Sequence, residues 1–450
     1  MSARSAAQRS PAVADERLAA VSGVSAPGLP ETLIRQRARE GVAAVFPPVD
    51  TYGRRLHGAG DEEPPGPAGV TDDLDLARLV PPVFMPRRLE KLIDLGREPL
   101  HDDVDLATVI GGFRSPLPVY VSAFGSTRVA SGDAGIAASR QAGRLGIPMV
   151  IGENMVPVGG YRRAAASQSP ILARLRAYAQ ECPPGVGGVV VQQSTEDADS
   201  EVWNLVYSDT SVRELRDSGR LGFELKTGQG AKPGLGGMTA VDADEAARLA
   251  GQFAVRDVLG PDRWLRCATP GTFTEEILRQ QVRFMRNNFP RARVWVKFHP
   301  GRDVARAATT AWQAGSDAVT VDGAQGGTGW APRAFLDQVG LPLGECLRRI
   351  GRPEGCLLAT GRIWEGGRAV RALAMGATAV GLGRAALLAV DEDPEDGLTR
   401  LVEALALEAR LLVSAVGKYR ADALTEEDLW WPGATPTTVP QARTPIGSPA

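Results

Sequence analysis

The chain has 450 residues, 43% apolar and 23% charged, with a formal net charge of -2. That is ample sequence for a large core, and the balance leaves no net basic field for nucleic acid or an anionic membrane. No run approaches the roughly 18 apolar residues of a transmembrane helix, and the opening MSARSAAQRS lacks a secretory signal's apolar segment. A cytoplasmic protein is expected. The cysteines, at 182, 267, 346 and 356, form no CxxC. Zinc and iron–sulfur ligation favour tight local spacing, so reduced thiols are expected and no metal site.

Residues 1–72 are rich in Ala, Pro, Gly and Arg, with PPGPAG at 64–69 as the clearest breaker cluster. They read as a low-complexity, poorly ordered lead-in with a short helix around Glu31–Ala44. From Asp73 the texture changes to apolar positions with proline breaks, as in an ordered cover segment.

From Leu117 apolar runs alternate with amphipathic helical patterns. The expected strands are Val119–Ala123, Pro148–Gly152, Gly188–Gln193, Gly222–Lys226, Val294–Phe298, Ala318–Asp322, Cys356–Thr360 and Ala379–Gly383. Helices are expected at Asp133–Leu145, Phe273–Asn288, Val304–Ala314, Gly366–Met375 and Gly397–Val416. Near-continuous apolar strands, each followed by a helix, indicate parallel strands buried on both faces. The fold class is therefore α/β: a (β/α)8 TIM-type barrel over residues 73–431, with an N-terminal cover segment and a Pro/Thr-rich tail at 432–450. A ninth apolar run, Leu265–Thr269, reads as an inserted strand or part of a long loop. An open doubly wound sheet is the competing topology.

In such a barrel, chemistry gathers where strands end. The segment Glu224–Gly237, ELKTGQGAKPGLGG, is the most distinctive, with two lysines, a glutamine and five glycines within twelve residues. A strand ending this way can bring bare amide groups and ammonium charges to an anionic ligand. Other strand ends carry SAFGS (Ser122–Ser126), the GEN of Glu153, Gln192–Ser194, Lys297 followed by His299, and DGAQGGTG (Asp322–Gly329). The last two units, ATGRIWEGG and GLGR, run glycine-rich loops into helix starts, where barrels commonly hold phosphate. Taken singly these glycines fit tight turns; together Gly361, Gly366, Gly367, Gly383 and Arg384 read as a phosphate site.

From Asp73 to about Trp431 these motifs, in order, resemble the FMN-binding synthase domain of the glutamate synthase family. LDLARLVPP, SAFGS, GEN, ELKTGQGAKPGLGG, VWVKF, GGTGWAPRAFLDQVGLP and ALAMGATAVGLGRAALLA all take part. The resemblance implies FMN and reductive amination of a 2-oxo acid, with hydride transfer between flavin N5 and an imine or amine carbon. It implies cofactor contacts at Ser122, Ala123, Lys226, Lys297, Gly326, Gly327, Gly361, Gly383 and Arg384. Lys226 and Lys297 would face the flavin, where a fixed ammonium stabilises the charge of the reduced ring. Gln229 and Lys232 would contact a substrate carboxylate or carbonyl, and Glu153 would be the acid/base or ammonium partner. The plain alternatives are a Lys297 that snorkels to solvent and a Glu153 paired with a neighbouring cation.

The departures narrow the expectation. No cysteine precedes Cys182 or follows Cys356, so neither glutamine hydrolysis nor electron entry through a cluster is expected of this chain. The family's HDGGTG loop has become AQGGTG, losing a histidine at Ala324 and a carboxylate at Gln325; Leu235 and Met238 replace a glutamate and a glutamine. FMN binding is better supported than 2-oxoglutarate specificity. The competing functions are a 2-hydroxy-acid oxidase, in which His299 would serve as base, and a non-catalytic FMN-binding subunit. Expected partners are a small amine or 2-oxo acid, a separate reductase or electron carrier, and further copies of the chain; neither nucleic acid nor membrane is expected.

Overall fold

Eight near-continuous apolar runs close on themselves. The structure is a computed structural model describing residues 24–46, 72–124, 134–152, 170–194, 202–228, 233–251, 253–258, 263–269, 271–327 and 331–432. Its barrel strands are β1 (Val119–Phe124), β2 (Met149–Ile151), β3 (Val189–Ser194), β4 (Leu221–Lys226), β5 (Arg293–Phe298), β6 (Ala318–Asp322), β7 (Leu357–Thr360) and β8 (Ala379–Leu382). They pair in parallel in chain order, and β8 pairs with β1. The register between β1 and β2 shifts between Val121 and Phe124. The open doubly wound sheet is thereby excluded.

Strand alternation separates two cores. Outward residues such as Val121, Val191, Phe223, Val296 and Val319 pack in the main apolar cluster with residues of the surrounding helices. Inward residues Tyr120, Val150, Val190, Trp295, Ala318, Leu358 and Ala379 form a separate cluster inside the barrel. Ile110 and Phe113, from the antiparallel hairpin Thr108–Ile110/Phe113–Ser115, join that inner cluster. Phe113 lies 5.6 Å from Trp295, and Trp295 Nε1 donates to the Gly111 carbonyl at 3.1 Å, so the hairpin plugs the end where the strands begin. Gly111 has φ +53, and a Cβ there would stand 2.2 Å from Trp295 Nε1; glycine serves both the turn and the close approach.

The run at 265–269 is indeed an inserted strand. Trp264–Cys267 is the middle of a three-stranded antiparallel sheet with Met238–Val241 and Ala254–Arg256, in the connection between β4 and β5. Near the N-terminus, the helix Glu31–Glu40 continues as a 3-10 turn to Val45. Ile34 and Ala38 bury against Trp364, Leu388 and Leu401, so this segment packs on the last barrel helices. Arg35 pairs with Asp391 at 3.0 Å, and Arg37 clasps both oxygens of Glu408.

The cover segment is tied down by charge. Asp72 accepts the amides of Leu74 and Gly344, each at 3.1 Å, and its other oxygen accepts Arg368 at 2.6 Å. Arg368 also bonds Asp75 and donates Nε to the Gly361 carbonyl at 3.1 Å. Arg78–Leu79 pairs antiparallel with Leu429–Trp430, joining the two ends of the barrel region. No helix among the described residues is long and apolar enough to cross a membrane.

Candidate active site

Strand register places the first pair of functional groups. Lys226 ends β4 and Lys297 lies one residue from the end of β5; the two are direct partners across the sheet. Both lie on the strand face that points inward, and both are buried. Lys297 Nζ forms an ion pair with Asp322 Oδ2 at 3.1 Å, and Asp322 in turn accepts the Thr360 hydroxyl. The ends of β5, β6 and β7 are thus joined by one polar chain of contacts, with Lys226 beside it in register on β4.

One layer deeper, Glu224 is enclosed within the barrel. It accepts Gln192 Nε2 on one oxygen and Thr320 Oγ1 on the other, the latter at 2.8 Å. Burial raises its pKa; Lys297, Gln192 and Thr320 pull it down, and Asp322 adds to the upward push. Isolated buried charge is costly, which explains why every carboxylate oxygen here has a partner.

The opposite side of this end carries guanidinium and glycine. Gly383 caps the helix Arg384–Glu392, and a Cβ built there meets nothing within 4 Å. Arg384, next in the chain, donates to the carbonyls of Pro27 and Gln325, each at 2.9 Å. Among the described residues no carboxylate forms an ion pair with it. Burial and the neighbouring Arg362 push its pKa down, with Glu31 opposing. Arg362 stands at φ 57, bonding the Gly28 carbonyl at 3.1 Å and pairing with Asp75. Open space beside a helix start, lined by a half-buried guanidinium that forms no ion pair among the described residues, fits a phosphate group. Gly361, at φ +133, lets the β7 loop approach the Gly323 backbone, and Gly327 packs on the Arg384 side chain.

One expected phosphate element is occupied by the protein itself. The first amide of the helix Gly366–Ala374 donates to Glu408 Oε2 at 2.6 Å, and a Cβ at Gly366 would strike Glu408 Cβ. That helix start already holds an anion. The phosphate reading therefore shifts from Gly366 toward Gly361 and Gly383.

Ser122 and Ala123 lie in the last three residues of β1, and Gly326 and Gly327 follow β6. They stand at the same end of the barrel as Lys226, Lys297, Gly361, Gly383 and Arg384. Glu153, Gln229 and Lys232 lie outside the described residues. His299, just beyond β5, lies beside Gly228, where a Cβ would come within 2.6 Å of Nδ1. Burial lowers its pKa against Asp303, the Thr227 main chain and Asp322, so it is neutral near pH 7. The sequence motifs contained Glu224, Asp322 and Thr360 without giving them a role, and left out Thr320. Their signal was present: polar residues at every second position of otherwise apolar strands, as in LGFELK and AVTVD.

The fold is a (β/α)8 barrel, and the groups at its working end fit a phosphorylated, flat-ringed cofactor such as FMN. Residues 183–392 match the model of the conserved region in glutamate synthase. The chain is 32% identical over 190 residues to an archaeal-type glutamate synthase [NADPH] of Dehalococcoides mccartyi, covering 39% of this chain and 36% of that protein. It is 33% identical over 185 residues to a glutamate synthase large subunit-like protein of Rhizobium meliloti, covering 38% and 40%. The chain thus spans well under half the length of these relatives. Among solved structures, a soluble mutant of the membrane-associated (S)-mandelate dehydrogenase of Pseudomonas putida superposes with a TM-score of 0.52 at 18% identity. The match covers 89% of this chain and 98% of that one, and establishes a shared barrel fold.

Proposed function

We propose that the chain is an FMN-dependent oxidoreductase acting at a carbon–nitrogen bond. The carrying observation is the pairing of Lys226 and Lys297 at adjacent strand ends, at the barrel end that also holds Arg384 and the open space at Gly383. Bound FMN would supply hydride exchange at N5 with the carbon of an imine or amine. The chain's own residues supply binding and electrostatics. Arg384 and the backbone around Gly361 and Gly383 would hold the phosphate, and Ser122 and Ala123 would leave room for the ring. Lys226 and Lys297 would stabilise negative charge in a site largely closed to water, where an oriented ammonium acts more strongly than in bulk solvent. Asp322 and Thr360 hold Lys297 in position.

Glu153 would exchange the substrate proton, and Gln229 and Lys232 would bind the substrate's carboxylate. The family match and the relatives support C–N chemistry over 2-hydroxy-acid oxidation. His299 stands just beyond β5 with its pKa lowered by burial, and the loop DGAQGG carries no histidine.

The test is anaerobic absorbance of the FMN-reconstituted protein against L-glutamate, other amino acids, amines, lactate and glycolate. Bleaching by an amine or amino acid is expected. Bleaching by lactate or glycolate alone assigns the oxidase chemistry instead, and a protein that takes up no FMN ends the reading.

A further inference from the structure

The function above uses Lys226 and Lys297 and leaves Glu224 without a role. Several observations mark it out. It is 1% exposed, inside the barrel, one layer below the mouth. Every element around it presents a particular group: Gln192 from β3, Lys297 and Trp295 from β5, Thr320 and Asp322 from β6, Tyr120 from β1, and Lys226 on its own strand. Of these the charged or titratable ones are Lys297, Asp322, Tyr120 and Lys226. The Tyr120 hydroxyl is itself pushed well up by burial, and then by Glu224 and Asp322, so it stays neutral.

The hydrogen-bond partners of Glu224 suit two protonation states. A threonine hydroxyl donates or accepts, and an amide side chain offers an N–H donor or a carbonyl acceptor by turning over. Gln192 and Thr320 can therefore satisfy a carboxylate, as they do here, and equally a carboxylic acid. Asp322 differs, since its oxygen faces the Lys297 ammonium directly at 3.1 Å.

We propose that Glu224 is a redox-linked proton site: its carboxyl binds a solvent proton when negative charge enters the barrel mouth and releases it when that charge leaves. This rests on the FMN reading. Two electrons and one proton delivered to N5 leave one negative charge on the ring; a new O–H bond at Glu224 neutralises it, so two electrons and two protons enter together. The physical cause is linkage. A negative charge near Lys297 competes for the ammonium that partly stabilises the Glu224 carboxylate, and burial already favours the neutral acid.

The experiment is the midpoint potential of the FMN-reconstituted protein, titrated with dithionite and mediator dyes across pH. For a two-electron couple each linked proton contributes a tenfold change per pH unit, about 30 mV. Wild type is expected to show the two-proton slope, about 60 mV, over a pH range where Glu224→Gln shows about 30 mV. Thr320→Val removes one hydrogen bond to the ionised acid and should raise the pH of the slope change by about one unit. It keeps the inference testable if Glu224→Gln does not fold. A reduced-minus-oxidised infrared difference spectrum should show a carboxylic-acid band in wild type and lose it in Glu224→Gln. Equal slopes in wild type and Glu224→Gln, a slope change that does not move in Thr320→Val, or a band that survives Glu224→Gln overturns the proton site while leaving the FMN reading intact. Failure of wild type to bind FMN overturns both.

Discussion

Arg368 anchors the cover segment to the barrel, and replacing it by methionine isolates that anchor. The Arg368 and Asp72 side chains are 1% and 0% exposed, paired at 2.6 Å. Arg368→Met leaves a side chain of similar length but strands Asp72 Oδ2 in the interior. Oδ1 keeps its two backbone amides. Asp75 is 29% exposed and can turn to water, so its loss adds little. Removing one member of a buried pair costs about 3–5 kcal/mol. That is a large share of the roughly 5–15 kcal/mol that holds a typical domain together. At about 2 °C per kcal/mol for a large domain, the melting temperature should fall by about 6–10 °C. A melting series on apo wild type, Arg368→Met, Asp72→Asn and the double variant reads this out. The double variant should recover about 2 kcal/mol relative to the sum of the singles, because it strands no carboxylate. The Gly361 carbonyl also loses its Arg368 donor, so FMN affinity should fall in Arg368→Met. A melting shift below 2 °C, or strict additivity, would refute the reasoning.

Gly383→Ala places a methyl group in the space assigned to phosphate. Because no atom of the described residues lies within 4 Å of that position, thermal stability should barely move. FMN affinity should drop roughly ten- to a hundredfold, following the about 1–3 kcal/mol typical of overpacking; unchanged affinity would remove the phosphate from this place. Burial pushes the Cys356 thiol up to about 11 and Cys346 to about 12. Both should therefore resist alkylation at pH 8 in the folded protein and react on unfolding, which peptide mapping by mass spectrometry checks. For Glu224 the folded-state pKa is raised, so the folded chain holds that proton more tightly than the unfolded chain does. Apo stability should then decline as pH rises from the ordinary carboxylate range through the raised value. Glu224→Gln should flatten that decline in a melting series across pH, and a parallel decline in the variant would assign it elsewhere.

The barrel was legible because its strands are buried on both faces. Such strands must be almost wholly apolar, and the runs from Val119 to Leu382 mark them to within a residue or two. The inserted strand at Trp264–Cys267 is half-buried and showed only as a short apolar run. The hairpin plug did not, since its two three-residue strands are too short for periodicity and earn their place only by meeting Trp295, far along the chain. Glycine-rich strand ends located the working end of the barrel. They could not show that Glu408, 42 residues downstream, already fills the helix start at Gly366. Nor could they show that Asp72 and Asp75 reach nearly 300 residues to Arg368. Partners that distant leave no local pattern. Glu224, Thr320 and Asp322 were legible in principle, because a polar residue on the inward face of a barrel strand needs a reason to be there.

Binding of FMN compared with riboflavin, followed by quenching of flavin fluorescence, tests the central claim most directly. The two ligands share the ring that would lie near Lys226 and Lys297 and differ only in the phosphate assigned to Gly383 and Arg384. The expected result is one FMN per chain, with riboflavin bound at least about a hundredfold more weakly, as the loss of charge-assisted hydrogen bonds to phosphate requires. Equal affinity for the two, or no quenching by either, would contradict it.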